Sequence, residues 1–305
     1  MSNATLIGFG EAGQAFAGDD AWRAFDIVPE KSRSATLAEA LAGADIVLSV
    51  VTADQALIAA KAAALLIEEG ALYCDMNSVA PETKSEASAA VEAAGGRYVD
   101  VAVMSPVHPA KRATPLLVCG PDAEAGAMAL EALGFSNVRI VGDTVGRAST
   151  IKMLRSVMYK GVEALTAECL IACERAGVTD EVLGSFGNDW SSGADYRLDR
   201  MMLHGLRRAA EMDEAVKTLV GLGIDPLMTQ GTAMWQRQIG ALGFPSPPEG
   251  LDPKLLALRR HCEEHSDEAI QVGGRRAGLP RFRFAEVYPE RLQGSRRARN
   301  DEGGP

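Results

Sequence analysis

Lys152 sits in a sequence setting that can do chemistry. It is flanked by Ile151, Met153 and Leu154 near the start of a long stretch without proline. A lysine in water titrates near pH 10.4 and stays charged. Among apolar neighbours, and with Arg155 close by, the charged form is penalised, so the amine becomes able to take up and return a proton nearer neutral pH. The competing reading is a lysine whose stem lies along a helix and whose head reaches water. A second candidate is Gly8-Phe9-Gly10-Glu11-Ala12-Gly13, a G-x-G-x-x-G run with the apolar Thr5-Leu6-Ile7 before it and Gln14-Ala15-Phe16-Ala17 after it. A strand, this loop and a helix are the context of a dinucleotide site. Gly8 permits the tight turn, Gly10 lets backbone approach a pyrophosphate, and Gly13 lets helix and strand pack closely. Free N–H groups at the helix start face the anion.

Stepping outward, a second strand over Trp22–Ile27 ends in Asp26, close to the roughly 20 residues expected between the first glycine and a ribose-binding carboxylate. Asp26 favours NAD. Lys31, Ser32 and Arg33 are loop residues or a grip on a 2′-phosphate, so NAD and NADP both stay open. The alternation continues with a helix over Leu37–Leu41, a strand over Asp45–Val51, a helix over Ala53–Glu69, a strand over Leu72–Met76 and a helix opened by Pro81. Further strands are expected at Tyr98–Met104, Leu116–Cys119 and Asn137–Val141. Such alternation predicts an α/β fold with a doubly wound, Rossmann-type parallel sheet over residues 1–144. Ligands in these sheets lie beyond the carboxyl ends of the strands, which places Val51-Thr52, Asn77-Ser78 and Met104-Ser105 around one crevice.

From Val145 the pattern turns helical. Val145, Ala148, Ile151, Leu154, Val157 and Met158 share one helix face, and Gly177 stops a helix of roughly 30 residues, about 45 Å long. Helices follow over Asp180–Phe186, Tyr196–Leu206, Arg208–Leu222 and Pro226–Ile239, so residues 145–258 form an all-α domain. Asp189-Trp190-Ser191-Ser192 reads as a loop that roofs a pocket or simply packs. Residues 259–305 are arginine-rich without a sustained period and read as a disordered tail. A helix this long is hard to bury within one chain, which predicts a homodimer.

The charge of −10 argues against nucleic acid or an anionic membrane as partner. Cys74, Cys119, Cys169, Cys173 and Cys262 show neither disulfide nor metal spacing, so no metal is expected and the compartment reads as a reducing cytoplasm. There is no signal-peptide layout, and the longest apolar stretch, Ala56–Ile67, is too short to span a bilayer.

In order along the chain, the glycine loop, Asp75-Met76-Asn77-Ser78 with Pro81, Asp100-Val101-Ala102-Val103-Met104-Ser105, and Gly146 followed by Lys152 resemble the β-hydroxyacid dehydrogenase family. That family includes 6-phosphogluconate and 3-hydroxyisobutyrate dehydrogenases, and the likeness covers residues 4–250. The resemblance implies hydride transfer between a small 3-hydroxy acid and a nicotinamide cofactor, in some relatives followed by decarboxylation. It makes Lys152 the proton-transfer group and places the second motif by the cofactor and the third by the substrate. The cofactor residues so implied are Gly8, Phe9, Gly10, Glu11, Ala12, Gly13, Asp26, Val51, Thr52, Asn77 and Ser78. Met104, Ser105, Arg155 and Ser156 are the residues expected on the substrate side.

The departures are specific. The family's serine-glycine-glycine is here Met104-Ser105-Pro106, and its asparagines after the lysine are Arg155 and Ser156. A later family lysine gives way to a stretch where His204, Arg207, Arg208 and Glu211 share a face, read as solvated. Arg155 reads as a clamp for a carboxylate or phosphate, or as a surface charge. The substrate is therefore not expected to be one of the family's familiar acids. Imine reduction, in relatives that usually lack the lysine, and a non-catalytic nucleotide-sensing or assembly role are the alternatives.

Overall fold

The computed structural model describes residues 3–187 and 190–259. Asp189 and residues 260–305, which hold nearly all of the arginine-rich tail, lie outside the described residues. Packing divides the chain into Met1–Lys254 and Leu255–Pro305; of the second unit, residues 255–259 are described and helical.

The first unit opens with β1 (Ala4–Ile7), α1 (Glu11–Ala17), β2 (Arg23–Phe25) and α2 (Leu37–Leu41). It continues with β3 (Ile46–Ser49), α3 (Ala56–Ala64), β4 (Leu72–Asp75), α4 (Pro81–Ala93) and β5 (Arg97–Val103). Then come β6 (Leu116–Cys119), α5 (Ala123–Ala132) and β7 (Val138–Gly142). They form one seven-stranded sheet in the order β2-β1-β3-β4-β5-β6-β7. Neighbouring residues go to opposite faces. Leu6, Leu48 and Cys74 join Phe16 of α1 and Leu130 of α5 in one core. Ile7, Val47 and Tyr73 join Leu41, Ala60 and Val91 of α2, α3 and α4 in the other. Both faces are thus covered, which is why these strands read as continuous apolar runs.

The sheet is parallel with one exception. β5 and β6 are antiparallel, pairing Asp100 with Cys119. The link between them holds a single 3-10 turn, Lys111–Ala113, and without a crossover helix the strand returns in the opposite sense. The doubly wound, Rossmann-type sheet expected from the sequence is thus present, parallel at every pair but β5–β6. α3 is also shorter than expected: its chain turns after Ala64, so that Ile67 folds back against the core.

The remainder is helical: α6 (Arg147–Ala176), α7 (Thr179–Phe186), α8 (Trp190–Gly221) and α9 (Leu227–Gly240). α8 runs unbroken where two helices were expected. Gly205 does not break it, because glycine is needed there for packing: a Cβ would lie 2.3 Å from the Gln236 carbonyl oxygen and 2.6 Å from the Gly240 Cα of α9. Trp190, Ser191 and Ser192 are not a roof loop but the first residues of α8, with the Trp190 ring 5.1 Å from that of Phe186.

α6 buries part of the apolar face read in the sequence: Ala148 is buried, and Ile151 and Val157 pack against the cores. Leu154, Met158, Tyr159 and Leu165 are exposed. The buried stripe includes Ala148, Met153, Ser156, Lys160, Glu163 and Ala167. Its charges are matched from α8 and α9: Arg208 donates to both oxygens of Glu163, and Gln236 Nε2 donates to Glu163 Oε2 at 2.9 Å. Among the described residues no helix is long and apolar enough to cross a membrane, and no group of His, Cys, Asp and Glu could hold a metal.

Candidate active site

The glycine loop has the geometry its spacing demands. Gly8 has φ +92°, and a Cβ there would meet the Val50 carbonyl oxygen at 2.3 Å. A Cβ on Gly13 would meet the Gly8 oxygen at 2.3 Å, so this glycine sets how closely α1 packs on β1. Gly10, the N-cap of α1, has no atom within 4 Å of where its Cβ would be. A ligand can therefore approach the backbone here, beside the N–H groups of Glu11, Ala12 and Gly13 that open the helix and have no intrahelical partner. The cradle fits a dinucleotide phosphate.

Asp26 lies just past β2 and beside this loop. Its Oδ2 accepts the Phe9 N–H at 2.7 Å and its Oδ1 accepts the Val28 N–H at 2.9 Å. Arg33 lies 4.4 Å over the Phe9 ring and donates to the Asp20 and Trp22 carbonyl oxygens. Its guanidinium is thus already engaged. Across the loop, His204 of α8 is held below its ordinary value, chiefly by burial and then by Arg200 and Arg207, with Glu11 of the loop opposing.

At the carboxyl ends of β3 and β4, Asn77 joins the two strands. Its Oδ1 accepts the Val51 N–H at 2.6 Å and its Nδ2 donates to Ser49 Oγ at 2.9 Å. Thr52 follows, exposed, at the start of a 3-10 turn. The next residue after Asn77 is Ser78, and its hydroxyl accepts a hydrogen bond from Lys152 Nζ. The structure thus brings Ser78 of the sheet domain onto Lys152 of the helical domain.

A buried ion cluster fixes that meeting point. Lys84 Nζ lies 2.9 Å from Asp75 Oδ1 and 3.2 Å from Asp100 Oδ1, with all three side chains fully buried. Tyr98 donates to Asp75 Oδ2 at 2.7 Å. Burial works against the Lys84 charge, but Asp75 and Asp100 outweigh it and hold the lysine above its ordinary value. Asp100 Oδ2 also accepts the Gly146 N–H at 3.0 Å and the Ser149 N–H at 3.4 Å. A carboxylate thus sits at the N-terminus of α6, where the helix dipole favours it. Gly146, at φ +95°, passes Pro81 so closely that a Cβ would lie 2.9 Å from the proline's. Sheet, α4 and α6 are locked together one turn before Lys152.

Lys152 is half-buried, and burial pushes it down to about 8. Glu211 of α8 pulls the other way, while Lys160, Lys84 and Arg207 add to the fall. The apolar neighbours expected to bury it are only partly involved: Met153 is buried against Met212, Ala215 and Ala233, and Leu154 points outward. Arg155 is not the cation pressing on it. Arg155 Nη1 donates to the Met104 carbonyl oxygen at 3.0 Å, with its guanidinium 4.1 Å over the Tyr159 ring. Ser105 is nearby at the surface, its Oγ 3.4 Å from the Pro106 oxygen. Ser156 is buried and accepts from Lys160 Nζ at 3.3 Å.

Lys160 and Glu211 were absent from the expected site. Lys160 Nζ is 2.7 Å from Glu211 Oε2, and Arg207 Nη1 is 2.8 Å from Glu211 Oε1. Burial alone would raise the Glu211 carboxyl, but Lys160, Arg207 and Lys152 outweigh it and hold it at about 2. The face carrying Arg207, Arg208 and Glu211 is therefore not a solvated one; Arg207 is its exposed member, and Glu211 and Arg208 are turned inward. Lys152, Ser156 and Lys160 recur every four residues, and that spacing was the available signal.

A family model described as the NAD binding domain of 6-phosphogluconate dehydrogenase matches residues 20–142, and one described as a domain of unknown function matches residues 173–239. A conserved hypothetical protein from Sinorhizobium meliloti is 36% identical over 85% of this chain and 96% of that one, with a TM-score of 0.65. A conserved protein of unknown function, described as structurally similar to 3-hydroxyacid dehydrogenases, is 31% identical over 78% of this chain and 96% of that one, at TM-score 0.60. The 3-hydroxyisobutyrate dehydrogenase of Mycobacterium tuberculosis, solved with L-serine, shares the fold at 18% identity, over 85% of this chain and 100% of that one, with TM-score 0.63.

Proposed function

Since the chain belongs to the β-hydroxyacid dehydrogenase family, with an NAD-binding domain of the 6-phosphogluconate dehydrogenase type, we propose that it oxidises a small 3-hydroxy acid reversibly, with Lys152 as the proton-transfer group. The observation that carries this reading is Lys152 itself, held to about 8 and hydrogen-bonded to Ser78 where the two domains meet. When bound, the nicotinamide supplies the acceptor for the hydride leaving the substrate carbon. Neutral Lys152 takes the hydroxyl proton as the carbonyl forms, and the ammonium returns it in the reverse direction. Ser78 accepts an N–H from the lysine and so fixes its direction. Gly8, Phe9, Gly10, Glu11, Ala12 and Gly13 would hold the pyrophosphate, and Asp26 the adenosine ribose. That carboxylate next to a 2′-phosphate position favours NAD over NADP. Val51, Thr52 and Asn77 shape the crevice floor. Arg155 ties the Met104 backbone to α6 through Nη1, which leaves its other N–H groups for a substrate carboxylate.

Purified protein, incubated with NAD or NADP and a panel of short 3-hydroxy acids, should reduce the nicotinamide with at least one of them. Tight binding of cofactor with no turnover of any hydroxy acid, or turnover of cyclic imines instead, would replace this reading.

A further inference from the structure

We propose that Glu211 is a positioning residue for the proton-transfer step: clamped between Lys160 and Arg207, it holds one fixed negative charge beside Lys152 and sets the pH at which that lysine gives up its proton. The inference rests on the reading of Lys152 given above.

Lys152, Ser156 and Lys160 occupy successive turns of one face of α6. Lys160 Nζ spans Ser156 Oγ and Glu211 Oε2, at 3.3 and 2.7 Å. The other Glu211 oxygen takes Arg207 at 2.8 Å. With a cation on each oxygen the carboxylate cannot turn away. Its side chain is 14% exposed and that of Lys160 is 6% exposed, so water screens the group weakly. Glu214, one turn on from Glu211 on α8, accepts the Ala80 N–H at 2.8 Å, so this face of α8 lies against the segment whose Ser78 holds Lys152. The charged groups around Lys152 are Lys160 of α6, Arg207 and Glu211 of α8 and Lys84 of α4. The Lys84 charge is matched by Asp75 of β4 and Asp100 of β5. On α9, Arg237 is spent on Asp213 at 2.6 Å. Removing the Glu211 charge leaves Lys160 and Arg207 acting on Lys152 without the carboxylate that pairs with both, which favours the neutral amine; Glu163, the other carboxylate acting on Lys160, is held by Arg208. Removing the Lys160 charge does the reverse.

The test compares wild type, Glu211→Gln, Lys160→Met and the double variant in the full-length protein. Two quantities are read against pH: turnover in the oxidation direction, and acetylation of Lys152 by acetic anhydride, measured by peptide mass spectrometry. Both midpoints should fall by about one pH unit in Glu211→Gln, rise by a similar amount in Lys160→Met, and return near wild type in the double variant. Lys160→Met keeps Glu211 paired with Arg207, so it reads the same coupling if Glu211→Gln does not fold. Acetylation midpoints unchanged in the single variants overturn the proposal. Acetylation midpoints that move as stated while turnover does not follow support the hold of Glu211 on Lys152 and overturn the part of the lysine in the reaction.

Discussion

Replacing Lys152 with methionine should make the protein more stable while it makes the enzyme slower. Burial brings the ammonium from 10.5 down to about 8. A drop of roughly 2.5 units at about 1.4 kcal/mol each is about 3.5 kcal/mol against the charged form, from burial and the neighbouring cations together, and partial exposure trims this to about 2 kcal/mol. Methionine keeps the stem and loses the hydrogen bond to Ser78, worth about 1 kcal/mol. A net gain of about 1 kcal/mol is left at pH 7. The sign follows from proton binding. The folded-state value lies below the unfolded one, so the unfolded chain holds the extra proton between them. The penalty is therefore full below pH 8 and disappears as pH rises towards 10.5. Urea unfolding of both proteins at pH 7 and again near pH 10, followed by the helix signal, should show the advantage of the variant at the lower pH only. A Lys152→Met protein that is less stable than wild type at pH 7, or whose gain persists unchanged near pH 10, would refute the buried-charge reasoning.

Gly10→Val should fold normally, since nothing lies where its Cβ would go, yet lose NADH affinity at least tenfold by calorimetry. Gly8→Ala should instead fail to fold well, because its Cβ would strike the Val50 carbonyl. NADH should bind more tightly than NADPH by direct titration, and the opposite order would assign Lys31 and Arg33 to a 2′-phosphate. Lys84→Met should cost about 3–5 kcal/mol in denaturant unfolding, because it leaves two buried carboxylates without their cation. The exposed Leu154, Met158, Tyr159 and Leu165 of α6 are expected to meet a second copy. Met158→Glu with Leu165→Glu should then halve the sedimenting mass.

The sheet was legible because its signals are local. Apolar runs, Pro81 and the glycines each carry their own steric or hydrogen-bonding reason, and β6 matched its expected span. The antiparallel turn at β5–β6 was not legible, because it depends on what the connection lacks. α6 was legible only in part: Ala148, Ile151 and Val157 of its apolar period pack inward, Leu154 and Met158 stay exposed, and the buried stripe also carries Lys160 and Glu163. Those charges are tolerable only because Glu211, Arg208 and Gln236 come to meet them, and partners so distant in sequence leave no local trace. For the same reason Glu211 read as solvated. Ser78 and Lys152 were each legible, but their contact was not.

Whether Lys152 moves the proton is decided by the rate of the Lys152→Met variant on the true substrate. Turnover should fall by about 10²–10⁴-fold while NADH affinity holds, and Lys152→Arg should not restore it, since a guanidinium keeps its proton. A Lys152→Met enzyme retaining more than about a tenth of the wild-type rate, well short of that general acid–base range, would contradict the claim.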